Sequence, residues 1–139
     1  MKNAILAGAI AGVVMGILMP IIGFISGEIG LIEPPGGKEI WGTPMYMLLG
    51  LAHISLGLIW GSIFGAVYAF LYSLIPGKGA LKGLYFGLSI WVIKDVAAGS
   101  YLALTMMEVN SAIILIVVGF FMWIVYGLVL GYLYRKPTK

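Results

Sequence analysis

The sequence contains no cysteine, a single histidine and very little charge. Only 9% of its 139 residues are Asp, Glu, Lys or Arg. Without cysteine the chain has no disulfide, no thiolate nucleophile and no cysteine-ligated metal. One histidine, His53, is too few for a histidine-rich metal site within one chain. We therefore expect neither a bound metal nor a cofactor.

Apolar residues take the place of charge. They make up 62% of the chain, and the mean hydropathy is +1.11. Soluble domains contain about 45–50% apolar and about 25% charged residues, and a chain this short cannot hide such an excess from water. The composition indicates a multi-pass membrane protein, whose first partner is the lipid bilayer, and we assume the cytoplasmic membrane. No basic patch is present, so we expect no nucleic-acid partner.

Four apolar stretches are long enough to cross the membrane as helices, which takes about 20 residues. The predicted spans are residues 3–27, 44–75, 80–107 and 109–134. The fold prediction is therefore all-α. It consists of one four-helix transmembrane domain over residues 1–139, with its longest loop, on the outer side, at residues 28–43.

The few charges also predict the orientation of the spans, because cytoplasmic loops of membrane proteins carry an excess of Lys and Arg. One side of the predicted bundle carries the basic residues Lys2, Lys78, Lys82, Arg135, Lys136 and Lys139. The opposite loops carry Glu28, Glu33, Lys38, Glu39 and Glu108. Both termini are therefore predicted to lie in the cytoplasm.

Glycine recurs at every fourth position within the spans. The first and third spans begin with matching rows 71 residues apart, which are Gly8, Gly12 and Gly16, and then Gly79, Gly83 and Gly87. The second and fourth spans share glycines 62 residues apart, Gly57 with Gly119 and Gly65 with Gly127, and Gly61 extends the row of the second. The pattern predicts an internal repeat of two parallel helical hairpins, spans 1–2 and 3–4.

Rows of small residues let helix backbones approach closely, which is one way in which helices associate in lipid. Such rows serve packing within the chain or packing against another subunit. Our first functional hypothesis is a non-catalytic membrane subunit. It would pack through its glycine-rich helix faces into a homo-oligomer or a larger membrane complex.

Three polar residues within the predicted spans stand out: Lys94, Asp95 and His53. A charge at the centre of a membrane helix costs about 2.5–3.5 kcal/mol, so such residues are candidates for function. Adjacent helical residues point about 100° apart, so Lys94 and Asp95 are not expected to form an ideal pair within the helix. His53 shares a row with Gly57 and Gly61, so we expect it to face the bundle interior near Asp95.

Several interpretations of these residues stay open. Lys94 and Asp95 fix helix register by neutralising one another or a neighbouring subunit, form a proton or ion relay, or bind a polar ligand or lipid headgroup. His53 is a hydrogen-bonded bundle residue, a proton carrier or a haem ligand, and bis-histidine haem would need a second chain. The second functional hypothesis is a small proton- or ion-coupled transporter or channel that uses Asp95 with Lys94 and His53. No enzyme motif is present, so we expect no catalysis.

Overall fold

The computed structural model describes residues 2–30, 39, 41–105 and 109–134, and these form four long helices. The helices are α1 (Lys2–Glu28), α2 (Pro44–Leu71), α3 (Ala80–Thr105) and α4 (Val109–Leu133). Each is long and apolar enough to span a membrane, and the described part of the chain contains no strand. The prediction of an all-helical protein with four candidate spans is confirmed.

The helix ends follow local chemistry. Thr43 is the N-cap residue of α2, and Pro44 begins the helix, where its missing N–H costs nothing. The helix ends at Leu71, which is earlier than the predicted residue 75, and Lys82 Nζ donates a hydrogen bond to the carbonyl of Tyr72 just beyond it. Gly77 follows with a φ of +90°, a conformation that glycine adopts readily. Most of the predicted outer loop, residues 31–38 and 40, and the link at 106–108 lie outside the described residues.

Helices α1 and α2 form the first hairpin through direct backbone contact. A Cβ atom on Gly12 would overlap the backbone of Gly57 and Gly61, and one on Gly65 would overlap the carbonyl of Ala4. Gly8 meets the same row of α2 one turn away. The predicted glycine rows of these two helices therefore pack against each other inside the chain.

Helices α3 and α4 form the second hairpin with the same kind of contact. Gly83 packs against the backbone of Gly127 and Gly131, and Gly87 packs against the carbonyl of Trp123. Gly131, which was not among the predicted packing residues, is therefore part of the contact. The predicted position Gly79 differs from the others, because it lies in the turn before α3 and an added Cβ would meet nothing within 4 Å, although its carbonyl lies against Gly131.

Aromatic side chains join the two hairpins near the ends of α2 and α4. Tyr68 is fully buried, and its ring lies 5.2 Å from that of Phe86 and 5.6 Å from that of Tyr134. Further along the bundle, the hydroxyl of Tyr126 on α4 donates a 3.0 Å hydrogen bond to the carbonyl of Gly61 on α2. Gly61 also packs against Gly8 and Gly12 of α1, so this residue takes part both in the close packing of the first hairpin and in the joining of the two hairpins.

Glycine contacts of this kind make a direct test possible. We expect Gly12→Ala to destabilise the protein by about 1–3 kcal/mol, because backbone atoms of α2 cannot move aside as a side chain can. The matched control is Gly23→Ala in the same helix, where nothing lies within 4 Å of the added Cβ. Thermal unfolding in detergent should show a lower midpoint for Gly12→Ala only. Equal midpoints for the two variants would contradict this packing.

Candidate intramembrane polar site

The middle of α3 departs from regular α-helix. Five residues, Val92–Val96, form a π-helical turn between the α-helical segments Ala80–Trp91 and Ala97–Thr105. Single π turns inside α-helices occur frequently at functional sites. Lys94 and Asp95, the two charged residues near the middle of the span, lie in this turn.

The two charged residues form an ion pair, contrary to the expectation from regular helix geometry. Lys94 Nζ lies 3.0 Å from Asp95 Oδ1. The π turn changes the angle between neighbouring side chains, and the long lysine chain bends back to reach the carboxylate. The two partners differ in exposure, because the side chain of Lys94 is 60% exposed and that of Asp95 only 3%. The carboxylate is therefore fixed inside the bundle, whereas the ammonium lies at its surface.

Helix α4 completes the surroundings of the carboxylate. Trp123 Nε1 donates a 2.7 Å hydrogen bond to Asp95 Oδ2. Gly119 lies beside the same oxygen, and a Cβ there would overlap it, so this glycine makes room for the carboxylate. One turn earlier on α3, Trp91 Nε1 donates to the carbonyl of Ile116 at 2.8 Å. Both oxygens of Asp95 thus have a donor, as a buried carboxylate requires.

Two clefts border the ion pair. The first cleft has a volume of about 400 Å³ and lies between the hairpins. Its walls include Met15, Met19, His53, Trp60, Phe64, Lys94, Trp123 and Tyr126. The second cleft has a volume of about 340 Å³, and its walls include Met15, Met19, Lys94, Asp95, Val118 and Trp123. Lys94 lies on the wall of both clefts, so the two spaces adjoin at its ammonium group.

His53 does not point into the bundle as predicted. Its side chain is exposed, and its Nδ1 lies 2.7 Å from the carbonyl of Leu49 one turn earlier. A carbonyl only accepts, so Nδ1 carries the hydrogen of this bond. The ring belongs to the wall of the first cleft, together with Lys94. Of the predicted polar residues, Lys94 and Asp95 are in contact, while His53 shares a cleft with Lys94.

Trp123 is the functional candidate that sequence reasoning missed. An indole N–H within an apolar span needs an acceptor, and few side chains in these spans offer one. That requirement was a usable signal, because Asp95 is the one acidic residue inside the third predicted span. The ring of Trp123 also lies 5.8 Å from Lys94 Nζ, within the range of a cation–π contact.

Comparisons with protein-family models, curated proteins and solved structures found no match. What the site can do therefore follows from its own groups. A buried carboxylate is held by an indole N–H and by an ammonium that lies in an open cleft. If the ammonium moves to another partner, the carboxylate must bind a proton or a cation, because an unpaired buried charge is costly.

The ion pair predicts a characteristic pattern of stability. We expect Lys94→Met to destabilise the protein by about 3 kcal/mol, because it leaves a buried carboxylate unpaired. Asp95→Asn keeps an acceptor for Trp123 and leaves only the exposed ammonium, so it should cost less. The double variant Lys94→Met/Asp95→Asn should be more stable than Lys94→Met alone.

Thermal unfolding in detergent measures this cycle. Ser89→Ala is the matched control, because Ser89 lies on the same helix, is exposed and bonds only to the carbonyl of Tyr85 in the described contacts. Its effect should stay within about 0.5 kcal/mol. Strictly additive effects of the two charge substitutions would show that the pair does not interact.

Proposed function

We propose that this protein is a small membrane transporter whose polar site is the Lys94–Asp95 ion pair. The observation that carries the proposal is the position of this pair. It lies midway along a helix long enough to span the membrane, at the point where two clefts adjoin. Charged residues in such positions are expensive and usually serve ion, proton or substrate pathways.

The different exposure of the two partners supports a coupled mechanism. Asp95 is held inside the bundle by Trp123 and cannot follow the ammonium if it moves. Lys94 has a flexible side chain that is 60% exposed, so it can turn from the carboxylate toward a ligand in the cleft. Because the carboxylate then needs a new positive partner, ligand binding and proton or cation uptake are linked at one site.

The hypothesis of a non-catalytic packing subunit has less support. The glycine rows that suggested contact with another subunit already pack helix against helix within the chain, through Gly8, Gly12, Gly16, Gly57, Gly61, Gly65, Gly83, Gly87 and Gly127. They are therefore unavailable as an outer glycine face. Gly119 faces Asp95 instead, which connects the glycine pattern to the polar site.

We also propose that the two hairpins are an internal repeat and that both termini face the cytoplasm. Support for the repeat comes from equivalent contacts, since Gly12 packs on Gly57 and Gly61 as Gly83 packs on Gly127 and Gly131. In these contacts Gly57 of α2 corresponds to Gly127 of α4, and Gly61 corresponds to Gly131, so equivalent positions of the two helices lie about 70 residues apart. The sequence match had instead paired glycines 62 residues apart. Support for the orientation comes from the distribution of basic residues in the loops.

Liposome flux tests the transport function. We expect purified wild-type protein to raise proton entry after a pH jump, followed with a trapped pH-sensitive dye, in at least one of three conditions. The conditions are no added organic ion, hexanesulfonate, and hexyltrimethylammonium. Asp95→Asn should reduce entry to that of protein-free liposomes, because it removes the only buried carboxylate among the described residues.

Two controls make the flux result decisive. Ser89→Ala should transport like the wild type, since its hydroxyl bonds within its own helix. Gel filtration of each variant shows whether it is folded and in which oligomeric state. Wild-type entry no faster than that of empty liposomes in all three conditions would overturn the transport function.

The orientation is tested by labelling single cysteines, which is direct because the natural chain has none. Glu39 precedes α2 and Lys78 lies between α2 and α3, and both are exposed. In intact cells, a membrane-impermeant maleimide should label Glu39→Cys but should label Lys78→Cys only after the membrane is permeabilised. The reverse pattern would place both termini outside.

A further inference from the structure

The first cleft joins an apolar body to one cationic group, which defines a class of ligand. Aromatic rings of Trp60, Phe64 and Tyr126 form much of its wall, and methionine side chains of α1 complete it. Its volume of about 400 Å³ lies within the range of small-molecule sites. Trp60 and Leu56 on its rim are largely exposed, so the cleft is open from the side of the bundle.

The ammonium of Lys94 has donors to spare within this cleft. An ammonium group carries three N–H donors, and in the described contacts Lys94 uses one of them, on Asp95 Oδ1. Nothing acidic other than Asp95 is among the residues that line either cleft. A ligand that binds here through a polar head therefore meets a donor, and an anionic head forms the strongest bond with it.

Charge balance then fixes what accompanies the ligand. With the cleft empty, Lys94 and Asp95 together are neutral. A monoanion that takes over Lys94 leaves the carboxylate of Asp95 buried beside Trp123 with no positive partner. One proton on Asp95 restores neutrality, and the resulting complex of anion, ammonium and carboxylic acid again has no net charge.

The surroundings of Asp95 offer few other places for that proton. Lys94 is the charged neighbour of Asp95 on its own helix, and α4 contributes Trp123 and Gly119 at the carboxylate, which do not titrate in the ordinary range. The α1 residues that line the second cleft are all apolar. His53 on α2 and Tyr126 on α4 are the other titratable groups nearby. Both lie on the wall of the first cleft rather than at the carboxylate, and the hydroxyl of Tyr126 donates to the carbonyl of Gly61.

We propose that the first cleft binds an amphipathic organic monoanion, a carboxylate or sulfonate with an apolar body, together with one proton on Asp95. The anionic head bonds to Lys94 in place of Asp95, and the apolar body lies against the aromatic wall. This inference rests on the proposed transport function for its biological meaning. The binding itself is measured independently of transport.

The test uses hexanesulfonate, because a sulfonate stays ionised and any proton taken up must be bound by the protein. Isothermal titration in detergent, repeated in buffers of different ionisation enthalpy, gives affinity and protons bound per ion. For the wild type we expect about one proton per hexanesulfonate, from the charge balance above. Hexyltrimethylammonium and hexanol, which share the apolar body, should bind at least about tenfold more weakly. The organic cation repels Lys94, and the neutral hydroxyl of hexanol accepts a weaker bond from the ammonium than an anionic sulfonate does.

Substitutions then show which residue binds the anion and which residue takes up the proton. Lys94→Met should weaken hexanesulfonate binding by about tenfold or more, the loss of one charge-assisted hydrogen bond. Asp95→Asn should keep or improve binding but take up no proton. His53→Gln changes the cleft wall, but it should still take up about one proton for each hexanesulfonate bound. Ser89→Ala serves as the control that changes neither. Asp95→Asn removes no cleft wall, so it keeps the test valid if Lys94→Met fails to fold.

Each outcome has a defined meaning. Binding of hexanesulfonate without proton uptake, uptake that survives in Asp95→Asn, or preference for the organic cation would overturn the inference. The same holds if Lys94→Met is folded and binds as the wild type does. Binding with proton uptake but without flux in liposomes would leave the inference intact and overturn the proposed transport. Flux without anion binding would overturn the inference and leave the proposed transport intact.

Discussion

The structure depends on a constraint set by hydrocarbon: helices there gain little by hiding apolar surface from one another. Close backbone contact and polar bonds must hold them together instead. Both hairpins meet this constraint in the same way, with glycines of one helix against carbonyls of the next, as Gly12 meets Gly57 and Gly83 meets Gly127. The price is that glycine weakens each helix by itself, and it is acceptable because a helix in lipid has no alternative partner for its backbone.

The polar site follows from the same constraint. A carboxylate such as Asp95 is tolerated in a membrane helix only where donors surround it, and here Trp123 and Lys94 supply them. Gly119 is part of this arrangement, because only a residue without a side chain leaves room for the carboxylate against α4. Glycine therefore has two functions in the second hairpin. At one end of the hairpin it lets the two helices pack closely, and nearer the middle it makes space for the carboxylate of Asp95.

Much of the fold could be predicted from composition and periodicity, and the failures have physical causes. The number of spans follows from charge-free lengths, and the packing row Gly8, Gly12 and Gly16 follows from spacing alone. The exposure of the His53 side chain was not predicted, although its backbone continues the packing row, since a Cβ on Gly16 would overlap the carbonyl of His53. Close contact of the backbone does not enclose the side chain. Mutual neutralisation of Lys94 and Asp95 was one of the open interpretations, but the geometry of the pair could not be predicted, because a π turn has no clear mark in one sequence.

The unequal burial of the two charges is what separates this site from a structural salt bridge. A pair that only fixes helix register gains most when both partners are enclosed, since exposure weakens their attraction. Here the carboxylate of Asp95 is enclosed, and Lys94 lines a cleft. The carboxylate therefore stays in place, whereas the ammonium can exchange one partner for another. If Lys94 were buried and Asp95 exposed, the same pair would favour an organic cation and release of a proton. The sign of the proposed ligand therefore follows from which partner the fold holds in place, and Trp123 and Gly119 hold Asp95.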